Sequence, residues 1–455
     1  MKGRTRPMNI ASLARACALV SVVALLPATT AGLAAVDSRS GLQFTKLAAI
    51  YRLVKENYVD KVDDDKLMNG AINGMLASLD PHSSYLDGSS LQRLETMIDG
   101  NYSGLGLSVQ MEDGAVKVIS PFRGSPAEKA GVKAGDYITH LDGVLYFERD
   151  IDEAVGKMRG PAGTTIRLTI FRPGRDEPFD VTVTRGVIEL EPVTWKVTDA
   201  VGVVSVNEFS RDVGRDVAGA IQEMRKQAAA TGGLKGLVLD LRSNPGGSLD
   251  EAVALSDLFV SSGDIVSQRG RVASENEYYR AETIYKGDIA RDLPLIVLID
   301  AGSASASEIV AGALQDHRRA VIMGERSFGK GSVQSLIGLD RTSAIKLTTA
   351  RYYTPSGHSV QEGGIDPDIR VPQLSDPDAR LRSERAVRES DLRGHLINEI
   401  SLDDKKLEAD RKDDPRFTQS AEQLKAKGIT DFQLHYAIET LRRADSSTAL
   451  AALRK

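Results

Sequence analysis

The residues best suited to catalysis in this sequence are a run of serines and a lysine that stands between two glycines. The serines alternate with alanines over residues 303–307, after an apolar run at 295–299 and before residues with helical spacing. Backbone N–H groups at the start of a helix are unpaired, so such a turn can stabilise an oxyanion beside a serine nucleophile. The lysine, Lys330, follows a second apolar run at 320–323. Together these residues suggest nucleophilic chemistry with serine and lysine.

A serine hydroxyl becomes a nucleophile only when a base removes its proton, and lysine is ordinarily a poor base. With a reference pKa of about 10.4, roughly one lysine in a thousand is neutral near pH 7.4. Burial must lower that pKa by about three units, which costs about 4 kcal/mol. Gly329 and Gly331 would let the backbone approach closely, and Phe328 would help exclude water from Lys330. A buried Ser/Lys pair is therefore physically reasonable here.

The same residues also allow less specific interpretations. Serine is common at helix starts, so the serines of 303–307 could serve only as helix caps. Lys330 could be an ordinary loop lysine. Because Asp316 and His317 lie between the two motifs, a Ser–His hydrolase is also open.

A phosphate-binding loop is a further interpretation of this segment. Gly324, Gly329 and Lys330 occupy the first three fixed positions of the P-loop pattern GxxxxGK[ST]. The last position fails, because Gly331 stands where a Ser or Thr should bind Mg²⁺. The pattern therefore favours nucleotide binding less than it favours a Ser/Lys site.

The segments SASASEI and FGKGSVQ, taken together, resemble the carboxyl-terminal processing (tail-specific) serine protease family. In that family the nucleophile stands 25 residues before the lysine, which implies Ser305 as nucleophile and Lys330 as general base. The resemblance also implies that Gln334, four residues after the lysine, orients its amine. Either motif alone would be weak, because small-residue turns and Gly-Lys-Gly loops are common, but the pair at this spacing is specific.

A second glycine-rich turn would complete the implied site. The apolar run 237–241 ends in RSNPGG, whose two glycines can adopt positive φ and approach a substrate closely. In the family the matching loop donates one oxyanion amide, which the resemblance assigns to Gly246 or Gly247 without choosing between them. The other oxyanion amide would be that of Ala306, next to the nucleophile. A plain strand-to-helix turn is the alternative interpretation of this glycine pair.

Residues 100–188 resemble a PDZ domain. A GLGL segment precedes a strand, and SPAEKAG and GD follow at the spacing of that fold. There, consecutive loop amides bind the carboxylate of a chain terminus, and the peptide adds as a strand. The amides would be those of Leu105, Gly106 and Leu107, and the two leucines would favour an apolar last residue. A small β-domain with a glycine-rich hairpin is the less specific alternative.

Composition limits the possible partners and cofactors. The 455 residues carry a net charge of −5, so nothing favours nucleic acid as a partner. The six histidines show no metal-ligand spacing, and we expect no metal site. A Ser/Lys mechanism needs no metal or organic cofactor. Protein substrates with accessible C-termini are the expected partners, together with further copies of the chain and a possible adaptor protein.

The N-terminus predicts export. Four basic residues within 2–15 precede an apolar stretch at 16–26 and mostly small residues at 28–35, the pattern of a secretory signal peptide. Cleavage near Ala34 or Ala35 would yield a periplasmic or otherwise exported protein. An uncleaved membrane anchor is the alternative. Cleavage would remove the only cysteine, Cys17, and with it any disulfide chemistry.

The elements that must position these motifs fall into five regions. Strands alternate with helices from 200 to 340, which indicates a parallel-rich α/β core. The resemblance implies a crotonase-like ββα protease core with an inserted PDZ domain. The predicted regions are a signal peptide (1–35), an N-terminal helical region (36–99), the PDZ domain (100–188), the protease core (189–372, with parts of 36–99), and a linker with a helical oligomerisation or adaptor region (373–455).

The sequence thus predicts an exported serine endopeptidase that binds substrate C-terminal tails through its PDZ domain and cleaves near them. The apolar stripes of the N-terminal helices would pack into the core, form a dimerisation arm or cover the active site. The alternative function is a PDZ scaffold of the cell envelope that is non-catalytic or gated by an adaptor.

Overall fold

The computed structural model describes residues 38–444 apart from several gaps. The gaps are residues 89, 92–93, 95–100, 113, 123, 148–150, 176, 190–191, 282–283, 286, 376–387 and 399–416. The predicted signal peptide, its cleavage position near Ala34 or Ala35, and Cys17 lie outside the described residues. None of the helices in the described ranges is both long and apolar enough to cross a membrane.

The chain divides into two compact units, Met1–Leu91 with Val333–Thr349 and Gln92–Ser332 with Ala350–Lys455. The first unit contains α1 (Ser38–Asn57), α2 (Asp64–Ala77) and β1 (Ser84–Leu86). Leu47 and Ile50, in the predicted apolar stripe of α1, are 44% and 48% exposed. Among the described residues, these two side chains therefore do not pack in a core.

The PDZ region of the second unit is built on an antiparallel sheet. Its elements are β2 (Asn101–Gly104), β3 (Leu107–Glu112), β4 (Ala115–Pro121), α3 (Pro126–Lys129), β5 (Tyr137–Leu141), β6 (Val144–Leu145), α4 (Ile151–Met158), β7 (Thr165–Phe171), β8 (Phe179–Thr184) and β9 (Gly186–Glu189). The strand order is β3-β4-β5-β7-β8, β6 pairs with β5, and β2 pairs with β9. Alternate residues such as Val118, Ile138 and Leu168 are fully buried, because each strand turns one face to a common core.

The remainder of the second unit is organised around a six-stranded sheet. Its elements are β10 (Val193–Thr198), β11 (Val201–Val206), α5 (Val213–Ala229), β12 (Gly236–Asp240), α6 (Leu249–Asp257), β13 (Asp264–Gly270), β14 (Glu277–Arg280), β15 (Leu295–Ile299), α7 (Ala306–Asp316), β16 (Val321–Gly324), β19 (Ile369–Arg370), α8 (Ala421–Ala426) and α9 (Phe432–Arg443). The sheet order is β10-β11-β12-β15-β16-β19, and every pairing from β11 onward is parallel. This arrangement confirms the predicted α/β core.

Strands β17 (Ser332–Gly338) and β18 (Ala344–Tyr353) each include residues of both units along the chain. In the first unit, the start of β18 pairs antiparallel with β1, at Ala344 to Lys346. In the second unit, its end pairs antiparallel with β13, at Ala350 to Tyr353. Strand β17 also pairs with β18.

The central strands are apolar throughout because both faces of the sheet are covered. All five residues of β15 are buried. One face carries Val203, Val238 and Ile296, which share a core cluster with Leu441 of α9. On β11, Gly202 points the other way, and a Cβ placed there would lie 2.9 Å from the sulfur of Met224 in α5.

The position of the C-terminal helices differs from the sequence prediction, which treated 373–455 as a separate region. Leu424 of α8 and Phe432, Ile438 and Leu441 of α9 are buried in the same cluster as the central strands. They therefore complete the core of the six-stranded sheet. The apolar stripe of α9 was visible in the sequence, but a stripe shows only that a helix buries one face and not which surface covers it.

This packing predicts that a substitution in the C-terminal helices destabilises the core of the six-stranded sheet. Replacing fully buried Leu441 with alanine should lower the free energy of unfolding by about 2–5 kcal/mol, because it leaves a cavity beside the sheet. Urea denaturation of the purified protein measures this change. The control is Leu339→Ala, at a leucine that is 53% exposed. It should change the free energy of unfolding by less than about 0.5 kcal/mol. Equal effects of the two substitutions would contradict the assignment of α9 to the core.

Candidate functional site

The serine turn connects β15 to α7. Strand β15 ends at Ile299, and Ser305 is the residue immediately before the helix. Ser305 has φ 55° and ψ −111°, a conformation that a residue with a side chain rarely adopts. Such strain persists only where surrounding contacts hold it, and it is common at functional sites.

Burial and hydrogen bonding distinguish the three serines of the turn. The Ser303 hydroxyl donates to the Leu241 carbonyl (2.8 Å), and the Ser307 hydroxyl donates to the Asn244 carbonyl (2.9 Å). Both side chains are fully buried and attach the turn to the neighbouring loop. Ser305 is only partly buried. The geometry therefore singles out Ser305, the residue that the family spacing implies as nucleophile.

The buried carboxylate of Glu308 joins the serine turn to the lysine loop, which we define as residues 327–331. Its Oε2 accepts the N–H groups of Ser305 (2.7 Å) and Lys330 (2.9 Å). Its Oε1 accepts the Ser327 hydroxyl (2.6 Å) and the Gly329 N–H (2.7 Å). The two predicted catalytic residues are thus anchored, through their backbones, to one side chain.

The sequence analysis assigned no role to Glu308. A sequence signal was present, because Ser305 and Glu308 have the Ser-x-x-Glu spacing of a capping box. The capping box accounts only for the hydrogen bond from the Ser305 N–H to the Glu308 carboxylate. The contacts with Ser327, Gly329 and Lys330 join residues 19 to 22 positions apart, which local patterns do not reveal.

The charge state of Glu308 is set by two opposing effects. Burial raises its pKa, while the hydrogen bonds from Ser327, Gly329, Ser305 and Lys330 lower it, and the result is a pKa of about 7. Burial disfavours the ion, whereas donors directed at the oxygens favour it. The carboxyl group therefore changes its protonation close to neutral pH.

The lysine loop depends on its two glycines for space. A Cβ on Gly329 would lie 2.7 Å from the Glu362 carbonyl oxygen, and one on Gly331 would lie 2.5 Å from the Gln361 nitrogen. Between them, Lys330 is partly buried. The amides of Gly329 and Lys330 already bind the internal Glu308 carboxylate, so these contacts argue against the P-loop interpretation.

The position of His317 rules out the Ser–His interpretation. His317 follows the last residue of α7, whereas Ser305 precedes the first. The helix has 11 residues and is therefore about 16 Å long. His317 Nε2 instead lies 2.6 Å from the Asp264 carbonyl oxygen.

Gln334 lies in the first unit. Its side-chain amide donates to the Thr348 hydroxyl over 3.4 Å, and that hydroxyl donates to buried Asp80 over 3.1 Å. These contacts place Gln334 in a polar cluster on β17 and β18. Its role in orienting the lysine remains a prediction.

The second glycine-rich turn follows β12 and lies against the serine turn. A Cβ on Gly246 would lie 2.9 Å from the Ser305 Cβ and 3.0 Å from the Ala306 nitrogen. The Gly246 N–H already donates to the side chain of Asn244 (2.9 Å). The N–H groups of Gly247 and Ala306 donate to no other group within the described residues.

A buried arginine attaches this turn to the C-terminal region. The Arg242 guanidinium binds Asp240 (2.6 Å) at the end of β12 and Asp431 (2.7 Å), the N-cap of α9. The Arg242 side chain is 14% exposed, so the ion pairs are largely shielded from water. Breaking one partner of such a buried network is costly. The sequence analysis did not identify this arginine.

The PDZ region presents an open strand edge. Strand β3 pairs only with β4 among the described strands, so its outer edge can accept an added strand. Leu105 is 2% exposed and belongs to the domain core, whereas Leu107 is partly buried against that core. Gly106 has φ 72°, and a Cβ there would lie 2.5 Å from the Ser125 Cβ. The predicted carboxylate loop therefore directly precedes the open edge.

Comparison with protein families matches three parts of the chain. Residues 200–371 match the model of peptidase family S41, and residues 118–172 match a PDZ domain. Residues 28–90 match the N-terminal domain of the activating protease CtpB.

Individual relatives extend these matches. The carboxy-terminal-processing protease of Bartonella bacilliformis is 47% identical over 78% of this chain and 80% of its own length. The carboxy-terminal processing protease CtpA of Bacillus subtilis is 36% identical over 72% of this chain and 69% of its own. Among solved structures, the photosystem II D1 C-terminal processing protease covers 78% of this chain and 98% of its own, with 29% identity and a TM-score of 0.44.

The raised pKa of Glu308 predicts a pH-dependent stability. The folded protein holds this proton more tightly than the unfolded chain, so the stabilisation is full below pH 4.5 and is lost as the pH rises through about 7. Glu308→Gln removes this contribution. We therefore compare the free energies of unfolding of the unmodified protein and of Glu308→Gln. The difference, unmodified minus variant, should fall by up to about 3 kcal/mol as the pH rises from 5 to 8.

Urea denaturation at several pH values measures this difference. Glu223→Gln, at an exposed carboxylate on α5, is the matched control and should follow the unmodified protein across the range. A difference between Glu308→Gln and the unmodified protein that stays constant with pH would show that the carboxyl group does not titrate in this way.

Proposed function

We propose a Ser/Lys mechanism on the premise that this chain belongs to the carboxy-terminal processing proteases, serine-type peptidases of family S41. The observation that carries the proposal is the Glu308 carboxylate, which binds the backbone amides of both Ser305 and Lys330. A shared anchor of this kind supports a common role for the two residues.

The reaction begins when neutral Lys330 removes the proton from Ser305 and the serine oxygen attacks the substrate carbonyl carbon. The carbonyl electron pair moves to its oxygen, which accepts hydrogen bonds from the N–H groups of Ala306 and Gly247. The C–N bond then breaks, and protonated Lys330 gives its proton to the leaving amine. Water, activated by Lys330, releases the acyl group from the serine.

We choose Gly247 as the second oxyanion donor because the Gly246 N–H is already bound to Asn244. Gly246 has a different role, since its missing side chain leaves room beside Ser305. The N-terminal end of α7 adds favourable electrostatics, because it carries about half a positive charge. These features stabilise the negative charge that develops on the substrate oxygen.

Substrate selection would come from the PDZ domain. The amides of Leu105, Gly106 and Leu107 would bind the terminal carboxylate, and the tail would pair with the outer edge of β3. Every C-terminus carries a free carboxylate, so this contact selects C-terminal tails without requiring a particular sequence. Partly buried Leu107 would favour an apolar terminal side chain.

Cellular placement and assembly complete the proposal. The basic, apolar and small-residue pattern of residues 1–35 favours export to the periplasm or beyond. Proteins with accessible C-termini would be the substrates in that compartment. The exposed apolar residues of α1 support association with further copies of the chain, and an adaptor is a second candidate partner.

Proteolysis of one unfolded polypeptide, prepared with a free and with an amidated C-terminus, tests the mechanism. The unmodified protein should cleave the free form faster, because only that form offers a carboxylate to the PDZ loop. Ser305→Ala and Lys330→Ala should each abolish detectable cleavage. His317→Ala is the control and should retain activity, since His317 lies at the far end of α7.

Each contrary result has a defined meaning. Equal cleavage of both forms would remove carboxylate capture from the mechanism but keep the protease. Activity in Lys330→Ala would refute the Ser/Lys pair. No cleavage by the unmodified protein, with or without added candidate adaptors, would favour the scaffold alternative.

Substitution of Gly246 tests the packing beside the nucleophile. In Gly246→Ala the new methyl group would press on Ser305 and Ala306, so kcat should fall by about 100-fold or more. Steady-state kinetics measures this loss, with thermal unfolding to confirm a folded protein. Gly219→Ala in α5 is the matched control, because a Cβ there meets no atom within 4 Å. A normal kcat in Gly246→Ala would contradict the close packing.

A further inference from the structure

A segment beyond the matched protease family residues lies directly against the lysine loop. We define it as the strap, residues 388–398. The match to peptidase family S41 ends at residue 371, and the strap follows the undescribed residues 376–387. The sequence analysis assigned this part of the chain to a linker and an oligomerisation or adaptor region.

The first connection between strap and loop runs through a buried glutamine. The Gln361 side chain accepts the Gly331 N–H (3.1 Å) and donates to the Glu389 carboxylate (3.0 Å). It also donates to the Leu396 carbonyl (2.9 Å). Gln361 and Glu389 are both fully buried, so water does not replace these contacts.

The second connection between strap and loop runs through Glu362, the residue after Gln361. The Glu362 N–H donates to the Gly329 carbonyl (2.9 Å). Its carboxylate accepts the Asn398 N–H (2.7 Å) and lies 2.7 Å from His395 Nε2. Glu362 itself has φ 62°, a strained conformation that requires such support.

The strap also contacts the loop backbone directly. Arg388 Nη1 donates to the Ser327 carbonyl (3.2 Å), and the Glu389 N–H donates to the Phe328 carbonyl (3.3 Å). Strap contacts, direct or through Gln361 and Glu362, therefore reach Ser327, Phe328, Gly329 and Gly331, which lie on both sides of Lys330.

Positioning is important because glycines on both sides of Lys330 give the loop little rigidity of its own. A general base must be held within about 0.5 Å of its productive position. Gly329 and Gly331 are fixed by residues 361–362, which the strap holds in turn. The backbone on both sides of Lys330 is thus connected to the strap through Gln361 and Glu362.

We propose that the strap positions the general base and that Glu389 is its main positioning residue, acting through Gln361. The proposal rests on the proposed function in one respect, that Lys330 is the base. It assigns residues 388–398 to the catalytic unit, although they lie outside the residues that match the protease family.

Kinetics of Glu389 variants tests the proposal. Glu389→Ala removes one of the two acceptors of the Gln361 amide, so kcat should fall at least tenfold. KM should stay within twofold, because Glu389 acts on the position of the base and not on substrate binding. Glu389→Gln retains an acceptor oxygen and should recover most of the lost kcat. Ser420→Ala, which removes the N-cap of α8, is the control for a general weakening of the C-terminal region and should keep normal kcat.

Hydrogen exchange gives a readout that does not need catalysis. In a Ser305→Ala background, mass spectrometry should show the Gly331 amide exchanging at least tenfold faster after Glu389→Ala. Amides of β15 should be unchanged, because that strand lies in the centre of the sheet. Glu389→Gln should restore slow exchange at Gly331.

The outcomes separate the two proposals. Activity in Lys330→Ala would refute the Ser/Lys function, while the exchange result would still report on the strap. An inactive Lys330→Ala together with normal kcat and normal Gly331 exchange in Glu389→Ala would overturn the strap proposal. If Glu389→Ala does not fold, Asn398→Ala takes its place, because it removes the hydrogen bond that the Asn398 side-chain amide donates to the Gln361 carbonyl (2.6 Å). The same direction is expected, and normal kcat and exchange there would also overturn the strap proposal.

Discussion

The structure of the site depends on one buried carboxylate. A carboxylate that is removed from water must be satisfied by hydrogen bonds, and Glu308 obtains four, from a serine turn and a lysine loop that are distant in sequence. If the two loops separated, an acceptor would be left buried without partners, which is costly. Burial of one polar group thus fixes the relative position of two backbones. The strained conformation of Ser305 persists because its own N–H belongs to this set.

The sequence predicted those features that local patterns determine. Strand β15 occupies the apolar run 295–299, because an uninterrupted apolar run between polar turns has few other structures available. The spacing of two family motifs implied Ser305 and Lys330 as the catalytic residues. Without that spacing, the residue types alone could not show which of the three serines in 303–307 is the nucleophile. Burial distinguishes them, since the hydroxyls of Ser303 and Ser307 bind backbone carbonyls.

Other features depend on contacts between distant residues, and no local pattern encodes those. Gln361 and Glu389 meet across 28 positions, and Arg242 meets Asp431 across 189. The choice between Gly246 and Gly247 is an intermediate case. Asparagine often binds the backbone two residues ahead, so Asn244 could have suggested that the Gly246 amide is occupied.

The attachment of Arg242 to Asp431 has a consequence for the life of the enzyme. The turn that we propose to line the oxyanion site is held by Asp431, the N-cap residue immediately before α9, near the C-terminal end of the described chain. A newly made chain therefore cannot finish its active site until that helix has been synthesised and has docked. The same dependence makes the protein sensitive to self-cleavage, because a cut before Asp431 separates Asp431 from Arg242. Loss of the tail would then end proteolysis, which makes self-digestion a form of self-inactivation.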